Sequence, residues 1–356
     1  MKTIVFPLLA AFSVAGACEV PVFRFALERW PSEPLTLEIA ADGPGGPDGE
    51  AALRHLRNQF PGEVPSNLTL RFTAPEIPGD PRVLMRLRSP NGSSPDTPPW
   101  WQGMMTETNA RNLTHSPLRA RIADEILDGA SAVWVIVSQG NPESDARALE
   151  LVNKGITRAM QTLKLPSGVI EPQDAARKLA MFPTATMDDV LRTTLPLRIR
   201  FQAEILKHDD ENEVILRELL AKIAPNAPAG EALVAPVFGR GRVLPPAPAS
   251  VVGEDGVFQG CAYLCGACAC MVKQQNPGFD LPFRIDWNNR LKPHIVAVDR
   301  GPAGNPPEVV EYGTRPPSTP ASDADRPKPP WRVPLVAGIA ALIALLAFVL
   351  IRGKFR

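Results

Sequence analysis

Four of the five cysteines in this 356-residue chain fall within ten positions, in the run Cys261-Ala-Tyr-Leu-Cys265-Gly-Ala-Cys268-Ala-Cys270. The fifth, Cys18, stands near the amino terminus. Thiols at this density serve metal ligation, disulfide exchange or structural cross-linking. Cys265 and Cys268 have the two-residue spacing of redox-active pairs. Placed at a helix start, the dipole would lower the first thiol's pKa, making Cys265 the attacking thiol and Cys268 the resolving one. Cys261 and Cys270 then form an outer pair, or Cys18 reaches one of the four. The competing reading is that the bonds are structural and staple a helix to its neighbour. The odd count leaves one thiol over for lipidation or an intermolecular bridge.

Metal is the third reading of the same five residues. On a helix, Cys261, Cys265 and Cys268 share a face within about 60°, while Cys270 points away. Three thiols on one face suit zinc with a fourth ligand from elsewhere, but Cys268-x-Cys270 is too tight for a knuckle. His55, His115, His208 and His294 are scattered, so the metal stays unassigned. The first three cysteines also match the iron–sulfur spacing of radical S-adenosylmethionine enzymes. Ala267 in place of their aromatic residue and an exported chain argue against that chemistry. Asp280, Asp286 and Glu254, near the cysteines in sequence, could assist proton transfer, though solvated loops are their expected setting. No Ser-His-Asp order, phosphate-binding glycine loop or His-x-x-x-His is present, so no cofactor is expected.

The elements that must position these residues read as α/β. In 18–115, a helix at 20–30, a strand at 35–40, a helix at 50–60 and a strand at 68–73 alternate, which favours parallel pairing. Residues 76–115 read as a long loop rich in Pro, Gly, Ser and Asn, with Trp100-Trp101 as a contact surface or pinned onto a core edge. Asn67, Asn91 and Asn112 head glycosylation triplets that matter only in a host with that machinery. Ser116-Pro117 caps a helix closed by Gly129, and 130–137 is an apolar run expected of a strand buried on both faces. Asn141-Pro142 starts a helix to about Leu163. After an insertion at 165–193, 197–205 alternates as a strand, and Asp209 or Asp210 caps a helix over 211–223. Residues 232–244 form a hairpin through Gly239-Arg240-Gly241, and 257–274 is at least partly helical.

The order β-α-β-α-β-β-α over 130–274 resembles the thioredoxin fold. That resemblance implies a cis-proline near the strand holding Ala235-Pro236-Val237, with Pro236 as the candidate. It also implies a Cys-x-x-Cys after the first strand, where this chain reads Ser138-Gln-Gly-Asn-Pro142. The segment from Cys18 could be a second, degenerate copy. A further resemblance rests on three stretches. They are Cys18-x-Val-Pro-Val-Phe-Arg-x-Ala-Leu-Glu-Arg-Trp30, Gly239-Arg-Gly-Arg242, and Cys265-Gly-Ala-Cys-x-Cys270 with Asn276-Pro-Gly278. Together they look like a group of uncharacterised exported, membrane-anchored bacterial proteins; this implies shared architecture and no mechanism.

Location is the clearest reading. Lys2, the apolar stretch 4–14 and Ala15-Gly16-Ala17 form a signal peptide over 1–17, which leaves Cys18 as the first mature residue or a lipid site. Nine prolines in 301–330 make a semi-rigid stalk, so the linker is 301–332. Residues 333–351 carry no charge and suffice for one membrane span, with Trp331 at its edge and a cytoplasmic tail at 352–356. Zero net charge and 44% apolar residues suggest an ordinary globular region and give no support for nucleic-acid binding. The expected protein is a single-pass, cell-envelope protein whose folded part, 18–115 and 116–300, is extracytoplasmic. Thiol–disulfide chemistry, a non-catalytic binding or assembly role with an envelope protein, and zinc binding are its three candidate functions.

Overall fold

The computed structural model describes residues 18–40, 43, 45–59, 67–74, 83–88, 98–224, 227–268, 272 and 275–296. The expected signal peptide, stalk, span and tail, together with Asn91 and Cys270, lie outside these residues. No helix among the described residues is long and apolar enough to cross a membrane.

The fold is mixed α/β with two mixed sheets. In the first, β1 (Leu35–Ala40) runs parallel to β2 (Leu68–Thr73) through the crossover helix α2 (Pro47–Gln59), as the alternation predicts. Strand β3 (Leu84–Arg88) pairs antiparallel with β1, and β4 (Trp101–Met104) with β3. Both strands and α3 (Glu107–Thr114) lie in the stretch expected to be a loop. Their shortness hides them, because four or five residues give too few alternations to stand out among prolines.

The second sheet repeats this order. Strand β5 (Ala132–Val137) runs parallel to β6 (Phe201–Leu206) and antiparallel to β7 (Leu233–Phe238), which pairs antiparallel with β8 (Arg242–Val243). Short strands β9 (Ala247–Pro248) and β10 (Phe279–Asp280) extend it at β7 and β8. The central strand of each sheet thus has a parallel neighbour on one side and an antiparallel pair on the other.

Helices separate the sheets. Helices α4 (Pro117–Leu127) and α7 (Val214–Ile223) pack on the face of β5 that carries Val133, Val135 and Val137. The same apolar core continues through α3 and α2 to Leu35, Leu37 and Ile39 of the first sheet. On the other face, Ala132, Trp134 and Ile136 meet α5 (Pro142–Thr162) and α8 (Ala249–Cys265). Every residue of β5 is therefore buried, as its unbroken apolar run predicts. Start signals act as expected: Ser116 accepts from the Arg119 amide and Asn141 from those of Glu143 and Ser144. Helix α7, however, begins after Glu213 with no side-chain cap, and Asp210 instead shapes the preceding turn.

The first helix, α1 (Val22–Arg29), joins the second sheet, packing with α8 and β7. The hairpin β7–β8 receives it through glycine. A Cβ on Gly239 would sit 2.7 Å from that of Ala26, and one on Gly241 would enter the Phe283 ring. Both glycines have positive φ, 57° and 92°. Gly241→Ala is therefore expected to cost about 2–4 kcal/mol from overpacking and left-handed strain together. A lowered midpoint in urea denaturation with unchanged slope reads this directly.

One local expectation is corrected and two open readings are narrowed. No cis peptide occurs among the described residues, so Pro236, mid-strand opposite Trp134, is trans. Trp101 is buried and donates its indole N–H to Glu218 at 2.8 Å, while Trp100 stands edge-on to Phe279. The tryptophans pin a core edge. Asn112 is buried with its amide on the Thr108 carbonyl, and Asn67 holds Leu281 and Phe283, so neither offers a side chain free for a glycan.

Candidate functional site

Cys261 and Cys265 lie one turn apart on α8, which ends at Cys265 where Gly266 caps it. Cys268 follows in an extended segment. Its amide donates to the Val20 carbonyl, the Val22 amide donates to Gly266, and Pro21 bridges Ala267 antiparallel. Cys18 enters from the facing strand, and its thiol donates to the Asp188 carbonyl at 2.9 Å. The fold thus brings Cys18, Cys261, Cys265 and Cys268 into one apolar cluster, although Cys18 is more than 240 residues from the others. Cys270 lies outside the described residues.

The electrostatics oppose a nucleophile here. Cys265 closes a helix, so the dipole presents its negative end, the reverse of the helix start that would activate it. Burial pushes the Cys265 thiol up to about 12, partly offset by a hydrogen bond with Ser131. Burial also takes Cys261 to about 12, partly offset by the indole of Trp134. Cys261 and Cys265 carry free thiols. Among the described residues no group of three or more His, Cys, Asp and Glu could hold a metal ion.

The acids expected near the cysteines are engaged elsewhere. Asp280 is buried against Arg242 at 3.0 Å and accepts the Glu33 amide at 2.6 Å. Asp286 caps α9 (Trp287–Leu291), and Glu254 is exposed on α8.

The place that follows β5 is built differently. Ser138 donates to Asp145 at 2.6 Å and accepts from the Gly140 amide at 3.2 Å, holding the turn that leads into α5. Beside it the start of β7 is tied to α5 by Ala232, whose amide donates to Ser144 at 2.9 Å. A cleft of about 460 Å³ opens here, lined by Asn141, Ser144, Arg147, Glu231 and Ser250 among others. It lies where β5 ends and α5 begins, beside the start of β7.

Sequence reasoning missed the buried ionic lattice that unites the quoted stretches. Arg24 and Glu28 of α1 form an ion pair at 2.9 Å with side chains 1% and 0% exposed. Arg24 also donates to the Thr193 and Leu195 carbonyls, and Glu28 accepts from the Arg192 and Thr193 amides and the Thr193 hydroxyl. Arg240 reaches the Leu27 carbonyl, and Arg242 donates to the carbonyls of Asn276, Pro277 and Gly278. The i,i+4 spacing of Arg24 and Glu28 was the available signal. Their partners, some 165 residues away, gave none.

No family model, curated protein or solved structure matches this chain. Its function therefore rests on the site itself.

Proposed function

We propose that the chain is a membrane-tethered, extracytoplasmic protein of thioredoxin-like fold that binds an envelope partner without thiol chemistry. The fold reading is supported by the strand order β6-β5-β7-β8, with β5 and β6 parallel. It is also supported by α5 and α8 sharing one face while α7 takes the other. The first sheet, ordered β2-β1-β3-β4, follows the same plan, which favours the second-copy reading. The tether is the apolar run 333–351 behind the proline stalk, and the signal peptide places the folded part outside.

One observation carries the non-catalytic reading. The active edge of this fold holds Ser138 where a nucleophilic thiol belongs, while Cys265 is buried at a helix end with its thiol raised to about 12. What remains at that edge is the cleft between the α5 start and residues 228–232. It offers polar groups for a partner's backbone or side chains. The test is a disulfide-reductase assay on a model disulfide with dithiothreitol as reductant. Wild type and Cys265→Ser are expected to match the rate of reductant alone. A rate above that background, lost in Cys265→Ser, would establish thiol chemistry instead.

A further inference from the structure

Two of the four histidines, far apart in sequence, meet between α2 and the α3–α4 junction. The rings of His55 and His115 stand 5.5 Å apart, centroid to centroid. Thr114 joins them: its Oγ1 is 2.8 Å from His55 Nε2 and 3.1 Å from His115 Nδ1. That hydroxyl donates to the Ala110 carbonyl at 2.9 Å, so both imidazoles donate to it. The network thereby assigns the tautomers and leaves His55 Nδ1 and His115 Nε2 as the ring nitrogens with lone pairs when neutral.

The surroundings are cationic. From α3 come Arg111 and Glu107, paired with each other at 2.5 Å, and from α4 comes Arg119, whose charge bears on His115. Arg284, in the segment before α9, bears on both rings. Arg284 is partly buried, its Nε is shielded from solvent without a hydrogen-bond partner, and among the described residues it forms no ion pair. Burial and these positive neighbours hold both imidazoles below the usual histidine range. Paired imidazoles alone would suit a transition metal. Here the guanidiniums oppose a cation, and what Arg284 lacks is an anion.

We propose that His55, His115 and Arg284, with Arg111 at the rim, bind a tetrahedral oxyanion of the phosphate or sulfate class, coupled to proton uptake by the two histidines. The anion accepts from Arg284, and protonation turns each lone pair into a further donor. Binding therefore strengthens as pH falls from 8 to 6. Free of anion, the same rings disfavour their charged form, so they cost the fold stability as pH drops below the unfolded value of about 6.5. This site is independent of the cleft beside α5 and of the cysteines.

The test is calorimetric titration of the full-length chain in detergent at constant ionic strength. Sulfate is the primary probe because its charge is constant across this range. Inorganic phosphate and methyl phosphate distinguish a site for the free anion from one that admits a monoester. Sulfate affinity is expected to rise about tenfold or more from pH 8 to 6, with heats that depend on buffer ionisation and so report proton uptake. Arg284→Gln should weaken binding about tenfold, and His55→Gln with His115→Gln should remove the pH dependence. Histidine NMR guards against misfolded variants: in the wild type, sulfate should shift His55 and His115 and leave His208 and His294 in place. No binding, pH-independent binding, or equal shifts at all four histidines would overturn the site.

Discussion

Glu28→Ala is expected to destabilise the fold by about 3–5 kcal/mol, the cost of stranding a buried guanidinium and three donors that lose their acceptor. Arg24 stays 1% exposed with its counter-ion gone, and the Arg192 and Thr193 groups on Glu28 lose their partner. Arg24→Met should cost less, about 2–4 kcal/mol, because Glu28 loses its counter-ion but keeps the Arg192 and Thr193 donors. The double variant Arg24→Met/Glu28→Ala should recover part of the loss, because it leaves no unpaired charge buried. Chemical denaturation of the four proteins closes the cycle. Losses that simply add would mean that the two charges act separately, each through its own hydrogen bonds.

How much of this was legible in the sequence depends on the range of each signal. Strand β5 declared itself through its unbroken apolar run, α5 through Asn141-Pro142, and the β1–β2 parallel pair through the intervening helix. The order that makes the second sheet followed from these. The cysteine segment was misread at one point: Gly266 signals a helix end, and reading through it turned a C-terminal thiol into an N-terminal one. That local reversal inverts the electrostatic argument for Cys265. Long-range meetings had no sequence signature at all. Cys18 reaches Asp188, Arg24 reaches Thr193, and His55 meets His115 through Thr114, a residue with no chemistry of its own to attract notice.

The second large effect concerns the thiols. A thiol raised to about 12 has a thiolate fraction at neutral pH roughly three thousandfold below that of an ordinary cysteine near 8.5. Burial adds to this, since Cys265 is 2% exposed and Cys261 fully enclosed, so reagent must wait for the helix α8 to open. Helix opening is resisted by close packing: Gly155 of α5 fits against Val257 and Gly260 against the Trp134 ring, with no space for a side chain at either glycine. Cys261→Ser and Cys265→Ser should accordingly act as core changes, lowering stability by about 1–3 kcal/mol without altering any reductase background.

Timed alkylation with iodoacetamide, mapped by mass spectrometry on the folded full-length chain at pH 7.5 and again in denaturant, tests the central claim most directly. Cys261 and Cys265 are expected to label at least about a thousandfold more slowly when folded than when unfolded. Labelling of Cys265 in the folded protein as fast as in denaturant, or faster, would contradict it and restore Cys265 as an attacking thiol.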